Sequence, residues 1–326
     1  MKSSRIIGTG SYAPEKILTN EELSKLVDTS DEWITSRTGI KQRHIAREGE
    51  QTSDMAAEAS KKALEMAGLT ASDLDMIIVG TISGDMPMPA CAAFVQAKLG
   101  AKCPAFDVSA ACAGSLFGLS IADQFVKTGA AKNVLVLGVE LLSRILNWED
   151  RNTCVLFGDA AGAMILAPSE NESRGILSTH IHTDGDYTNI LTIPGGGSIS
   201  PMNEEMLEKK LNFVHMNGRE VYKFAVRSLT SVIKEGLSAH GFEKEDVDHV
   251  VPHQANIRIV DAVLKNLKIP KEKTVLNIDR YGNTSSASVP VTLDEAVRSG
   301  RIKEGELVAM MAIGAGMSWG SAMIRW

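Results

Sequence analysis

The chain repeats itself. The stretch Ala67-Gly68-Leu69 followed by Asp73-Leu74-Asp75-Met76-Ile77-Ile78-Val79 has a counterpart 173 positions on, His240-Gly241-Phe242 followed by Asp246-Val247-Asp248-His249-Val250-Val251-Pro252. Each copy reads as an amphipathic helix stopped by a glycine, a short acidic turn and an apolar strand. The first helix is expected to start at a Ser53 cap and to set Ala56, Ala59, Ala63 and Met66 on one face. The second sets Tyr222, Ala225, Leu229, Val232, Ile233 and Leu237 at similar spacing. Gly68 and Gly241 suit the left-handed position that closes a helix. The ends of the copies match too, Gly162-Ala163-Met164-Ile165-Leu166 with Ser321-Ala322-Met323-Ile324-Arg325. With residues 133–138 and 307–312 as further strands, strands alternate with helices. The class is therefore α/β, with helices on both faces of the sheets and two like halves. The polar run 168–174 divides them, giving halves 1–172 and 173–326. An irregular segment, 183–217, interrupts the second half. Its Pro194-Gly195-Gly196-Gly197 lacks the Lys-Ser/Thr of a phosphate loop, so it reads as a mobile surface or substrate-channel loop.

A chain of 326 residues can bury two fused cores. The net charge of −6 argues against general nucleic-acid binding, so any basic site must be local. Cys91, Cys103, Cys112 and Cys154 have no C-x-x-C spacing. They read as reduced thiols of a cytoplasmic protein, with no metal site and no disulfide framework. The N-terminus lacks a signal-peptide apolar core. No uncharged apolar run approaches the roughly 18 residues of a membrane span, so no membrane association is expected.

Against that background Cys112, in Asp107-Val108-Ser109-Ala110-Ala111-Cys112-Ala113-Gly114-Ser115, stands out. An apolar helical pattern starts there and runs through Leu116, Leu119 and Val126. A thiol at a helix N-terminus meets unpaired N–H groups and the positive end of the dipole, which favours the thiolate. Its small neighbours leave room for a substrate. Far downstream come Val251-Pro252-His253-Gln254-Ala255-Asn256 and Tyr281-Gly282-Asn283-Thr284-Ser285. A Cys, a His and an Asn at separate strand-to-loop junctions fit covalent thioester chemistry.

These motifs, together with Asp28-Thr29-Ser30-Asp31-Glu32-Trp33-Ile34, Arg37-Thr38-Gly39-Ile40, Phe157-Gly158-Asp159-Ala160-Ala161-Gly162-Ala163 and Trp319-Gly320-Ser321-Ala322, resemble those of the β-ketoacyl-[acyl-carrier-protein] synthase III family, in the same order. The resemblance implies a thiolase-like, five-layered αβαβα fold and a homodimer. It implies that an acyl-CoA, acetyl-CoA first, acylates Cys112. A decarboxylative Claisen condensation with malonyl-acyl-carrier protein then gives 3-ketoacyl-carrier protein. His253 and Asn283 would donate hydrogen bonds to the enolate, and the backbone N–H groups of Cys112 and Ala315 would hold the tetrahedral oxyanion. Ala315 stands where the family usually has glycine, which matters if that position needs a positive φ. Coenzyme A enters as a substrate thioester, and no resident cofactor is implied.

For the CoA moiety, Trp33 offers a stacking face, Arg151 a planar cation over it, and Arg37 a phosphate partner. The resemblance adds Thr29, Asn152, Gly218, Tyr222, Ala255 and Asn256 along the pantetheine tunnel. The acidic carrier protein calls for a basic mouth, for which Lys223, Gln254, Arg258 and Lys265 are the candidates. Met88, where relatives commonly have Phe, would enter the primer pocket of the neighbouring subunit. Other readings are a related condensing enzyme of secondary metabolism, sharing the Cys–His–Asn set, or a catalytically silent partner subunit, which would be expected to lose the nucleophile. A degradative thiolase would need a second cysteine where the Asn motif stands. A dinucleotide-binding oxidoreductase would need a G-x-G-x-x-G between strand and helix, and Gly8-Thr9-Gly10 runs instead into Pro14.

Overall fold

The computed structural model describes residues 3–171 and 173–326. Met1, Lys2 and Glu172, and with Glu172 the expected boundary between halves, lie outside the described residues. The first sheet contains β1 (Ser3–Tyr12), β2 (Met76–Gly80), β3 (Ala105–Val108), β4 (Val134–Glu140) and β5 (Ala160–Ser169), in the spatial order β1-β5-β4-β2-β3. The second contains β6 (Gly175–Thr183), β7 (His249–Pro252), β8 (Leu307–Gly314) and β9 (Ser318–Arg325), in the order β7-β8-β9-β6. The inner pairs β2–β4 and β7–β8 are parallel, and β4–β5 and β8–β9 antiparallel. A parallel bridge from Val250 to Thr274 stands beside β7 as β3 stands beside β2. The two sheets thus have the same wiring.

Alternation along the strands assigns every side chain to a layer. Met76 and Ile78 of β2, Val134 and Val136 of β4, and Val308 and Met310 of β8 point into one central core. That core also holds the apolar faces of the helices Gly114–Thr128 and Ser288–Arg298. Ile77, Val79, Leu135 and Leu137 point the other way, onto the helices Thr52–Ala67 and Cys91–Leu99. Leu307, Ala309 and Met311 meet the helices Gly218–His240 and Ile257–Leu267 on the far side of the second sheet. The stack is helix, sheet, helix, sheet, helix. Strands covered on both faces read as unbroken apolar runs, which is why β4 and β8 are so rich in Val, Leu and Met.

The helices depart from the sequence reading in detail. The first begins at Thr52 after an extended Gln51, and Ser53 lies inside it with its hydroxyl on Asp85 at 2.6 Å, so Ser53 is no cap. Met66 sits at the sheet margin, partly exposed, where its sulfur takes the Thr9 N–H at 3.2 Å. Tyr222 faces outward, and Phe224 and Ser228 join Ala225 and Leu229 on the buried face. Gly68 and Gly241 close the two outer helices at φ 65° and 66°. Segment 183–217 contains a short antiparallel pair, Leu191–Thr192 with His215–Met216, and a helical turn, Glu204–Glu208.

Candidate active site

Cys112 lies where the halves meet. It sits in a tight turn, Ala111–Ala113, that leads into the central helix Gly114–Thr128. Ala111 is held at φ 45°, a left-handed conformation that costs an alanine about 1 kcal/mol or more. The second half repeats the device: the turn Ser285–Ala287 precedes the other central helix, with Ser285 at φ 49°. The turns face each other, and Cys112 and Ser285 line one apolar cavity of about 60 Å³.

The C-terminal end of β8 closes on the Cys112 amide. A Cβ on Gly314 would fall 2.5 Å from the Cys112 nitrogen and 2.7 Å from the Ala110 oxygen, so the position is limited to glycine. The next residue, Ala315, keeps a negative φ and lines the cavity, while Gly316 takes the left-handed turn at φ 70°. The alanine that replaces a usual family glycine is therefore unstrained.

Ile82, Leu142, Phe157, Leu191, Ile193 and Val214 wall the cavity. The last three come from segment 183–217. Met88 is 83% exposed and lines no part of the cavity within one chain. Dense apolar walls correct the expected thiolate: burial pushes the Cys112 thiol up to about 12, the nearby Glu140 carboxylate adds to this, and the Ser285 hydroxyl opposes it. Cys112 rests as a neutral thiol.

His253 follows β7, its N–H donating to the Met311 oxygen at 2.6 Å on the strand that ends beside Cys112. Its ring is buried and neither ring nitrogen has a protein partner. Burial pushes its pKa down to about 4, so the imidazole is neutral at pH 7. Asn283 is clamped between its neighbours: its N–H donates to the Leu156 oxygen at 2.8 Å, and its own oxygen accepts from the Gly158 N–H at 3.0 Å. Its side-chain oxygen accepts the Ser285 N–H at 2.9 Å, which leaves the amide NH2 to donate elsewhere. Both groups are thus uncharged donors. Among the described residues no cluster of His, Cys, Asp and Glu could hold a metal ion.

A second, open cleft of about 740 Å³ is lined by Leu156, whose chain neighbour Phe157 lines the cavity. Trp33 stands in it with two guanidinium groups over its ring, Arg37 at 4.8 Å and Arg151 at 5.2 Å from the ring centre. Ser30 caps the helix Asp31–Thr38 that carries Trp33 and Arg37. Asn152, Gly218, Tyr222, Lys223, Asn256 and Arg258 also line the cleft, with Arg219, which sequence reasoning missed. Asn256 caps the helix Ile257–Leu267 as well. Thr29 and Ala255 are off the lining: the Thr29 hydroxyl is buried without a partner, and Ala255 packs against the outer core of the second half. Lys223 pairs with Glu220 at 2.8 Å, and Lys265 is exposed on its helix away from the cleft.

Gln254 corrects the sequence reading outright. It is fully buried, donating to Val275 and Thr292 and accepting the N–H groups of Asn277 and Ile278 at 2.9 and 2.8 Å. It holds the loop before Asn283 and has no surface to offer a carrier protein. Glu140, also missed, is buried beside Cys112 at the end of β4. A lone acid closing the apolar run Val134-Leu135-Val136-Leu137-Gly138-Val139 was a visible signal.

The family described as 3-oxoacyl-[acyl-carrier-protein] synthase III matches residues 106–185, and its C-terminal counterpart matches residues 237–326. The chain is 53% identical over 322 residues to a beta-ketoacyl-[acyl-carrier-protein] synthase III of Caldanaerobacter subterraneus, covering 98% of this chain and 97% of that one. It is 52% identical over 324 residues to the protein of that name from Xanthomonas euvesicatoria, covering 99% and 98%. Its backbone matches the crystal structure of 3-oxoacyl-[acyl-carrier-protein] synthase III from Aquifex aeolicus with a TM-score of 0.92 at 47% identity, over 99% of this chain and 100% of that one.

Proposed function

Since the chain belongs to the β-ketoacyl-[acyl-carrier-protein] synthase III family, we propose that it works as the initiating condensing enzyme of fatty acid synthesis, an acyltransferase that charges Cys112 from an acyl-CoA and extends the acyl group with malonyl-acyl-carrier protein. The observation that carries this reading is the apolar cavity around the Cys112 thiol, one residue along the chain from the lining of a cleft edged with arginines. A cavity of only about 60 Å³ suits a short primer such as acetyl.

The chemistry divides into two half-reactions. Cys112 attacks the primer thioester, the N–H groups of Cys112 and Ala315 hold the oxyanion, and CoA leaves. CO2 then leaves the malonyl group, and neutral His253 and Asn283 donate to the enolate oxygen. The enolate carbon attacks the Cys112 thioester and releases 3-ketoacyl-carrier protein. No resident cofactor is required for either step.

In the cleft, Trp33 and Arg151 take the adenine and Arg37 and Arg219 the phosphates, while Asn152, Gly218, Tyr222 and Asn256 follow the pantetheine arm. Lys223, Arg258 and Lys265 meet the acidic carrier protein. A cytoplasmic homodimer, with Met88 reaching the neighbouring primer pocket, completes this reading. Four unpaired, buried cysteines suit a reducing compartment. No helix among the described residues is long and apolar enough to cross a membrane.

The test is labelled acetyl-CoA with and without malonyl-carrier protein. The protein should carry a labelled thioester in the first case and release labelled 3-ketoacyl-carrier protein in the second. Cys112→Ala should abolish labelling, while His253→Ala and Asn283→Ala should label and fail to condense. Loss of acylation in both of those variants would refute this division of labour.

A further inference from the structure

The buried carboxylate beside the nucleophile has no role in the chemistry above. Glu140 is held by four donors. Its Oε2 accepts the Ser83 hydroxyl at 2.5 Å, the Ile82 N–H at 3.2 Å and the Thr81 hydroxyl at 3.3 Å. Its Oε1 accepts the Ser285 hydroxyl at 3.0 Å. Ser285 lines the cavity with Cys112, and its hydroxyl favours the thiolate there. A sulfur and a hydroxyl therefore share the cavity, and the hydroxyl leads on to a carboxylate inside the protein.

Resting on the proposed acylation of Cys112, we propose that Glu140 is the acceptor of the Cys112 proton, reached through the Ser285 hydroxyl. The S–H bond breaks and its proton passes to Ser285 Oγ as the Ser285 proton passes to Glu140 Oε1. The thiolate then forms the C–S bond to the primer carbonyl, with the Ser285 hydroxyl now donating to sulfur. The C–S bond to CoA breaks, and the proton returns by the same line to the departing CoA thiolate. Glu140 ends as it began. Ser285 shares the cavity with the reacting sulfur, and Glu140 acts through it as a positioning and proton-holding residue.

Charge decides between Glu140 and the other base in the site. Transfer from a thiol to neutral His253 would make two charges in a dry cavity, on an imidazole that burial already holds at about 4. Transfer to Glu140 moves one negative charge and creates none. It also removes the carboxylate charge that opposes thiol ionisation. Burial pushes Glu140 up to about 7, against the pull of its hydroxyl and N–H donors, so it can both take and return a proton near neutral pH. Cys112 is the titratable group that faces it. Thr81, Ile82 and Ser83 after β2, Ala160 opposite on β5 and Ser286 bring no charge. Asp159 is turned to Ser143 and Ala46, and Asp85 to Ser53.

The test is single-turnover acylation by labelled acetyl-CoA as a function of pH. The wild-type rate should fall on an acidic limb near pH 7, as Glu140 becomes protonated. Glu140→Gln should lose that limb and slow acylation roughly a hundredfold at pH 7.5. Glu140→Asp should restore the limb. Ser285→Ala should behave like Glu140→Gln while leaving the acid in place. Alanine already adopts the required conformation at Ala111 in the other half, so this variant folds and decides the matter if Glu140→Gln does not. A limb retained near pH 7 with rates within about threefold in Ser285→Ala overturns the relay. A wild type that never acylates overturns instead the reaction on which it rests.

Discussion

His253 must be neutral to act as an enolate donor without pairing with the malonyl carboxylate, and its burial makes this measurable. Its pKa is lowered from 6.5 to about 4, with burial as the sole cause. Between those values the unfolded chain binds a proton that the folded one refuses. The contribution of this residue is therefore intact above pH 6.5 and lost progressively as pH falls towards 4. At pH 5 the unfolded state gains about 30-fold over the folded one, or about 2 kcal/mol. Glu140 titrates the other way, because its raised pKa relieves a penalty as pH falls below about 7. A raw stability–pH curve would blend the two. His253→Gln separates them, since it keeps a polar side chain of similar reach and removes only the imidazole titration. Urea unfolding at pH 8 and pH 5 should show the wild type losing about 2 kcal/mol more than the variant over that step. Carbon-labelled histidine should show the His253 ring still neutral at pH 5 by its Cε1 shift. Equal losses in the two proteins, or a ring that titrates at 6.5 or above, would refute a buried neutral imidazole.

Gly314→Ala puts a Cβ 2.5 Å from the Cys112 nitrogen. The amide must move, and the acylation rate should fall roughly 10²–10³-fold, the effect of losing one oxyanion donor, as read by the burst of labelled protein. Gln254→Leu leaves the buried N–H groups of Asn277 and Ile278 without an acceptor. It should cost about 2–4 kcal/mol in urea unfolding while the salt dependence of turnover with malonyl-carrier protein stays as in the wild type. Trp33→Ala removes the ring under Arg37 and Arg151, and should raise KM for acetyl-CoA roughly tenfold with little change in the acylation rate at saturation.

The architecture was legible because each of its parts has a short-range signature. Apolar runs at 76–79, 134–137 and 307–312 mark strands buried on both faces, and Gly68 and Gly241 stop two helices at equivalent places. The placement of Cys112, His253 and Asn283 was legible for the same reason: each follows a strand or turn that the sequence displays. What escaped depends on the third dimension. Gln254 sits between His253 and the cleft residue Asn256, yet its side chain turns inward because the loop 274–278 needs an acceptor for two amides. The ionisation of Cys112 could not be read either. The helix N-terminus that favours a thiolate is local, but Leu191, Ile193 and Val214, which dry the cavity, arrive from a segment with no regular pattern.

The two halves share a backbone device and divide its chemistry between them. A left-handed residue opens each central helix, and the duplication sets these turns face to face. One carries the thiol, and the other carries Ser285 with its N–H on Asn283 and its hydroxyl on Glu140. A single strained turn thus orients the amide proposed to serve the enolate and lines the cavity with the thiol proposed to take the primer. That economy also explains why the donors are neutral. A protonated His253 would hold the malonyl carboxylate as an ion pair and oppose its departure as CO2. In a dry cavity, an imidazole and an amide aimed at the thioester oxygen favour the charge only after it has moved there. The burial that makes Cys112 a poor thiolate would also favour decarboxylation, and on the proposed relay Glu140, placed behind Ser285, would let one cavity do both.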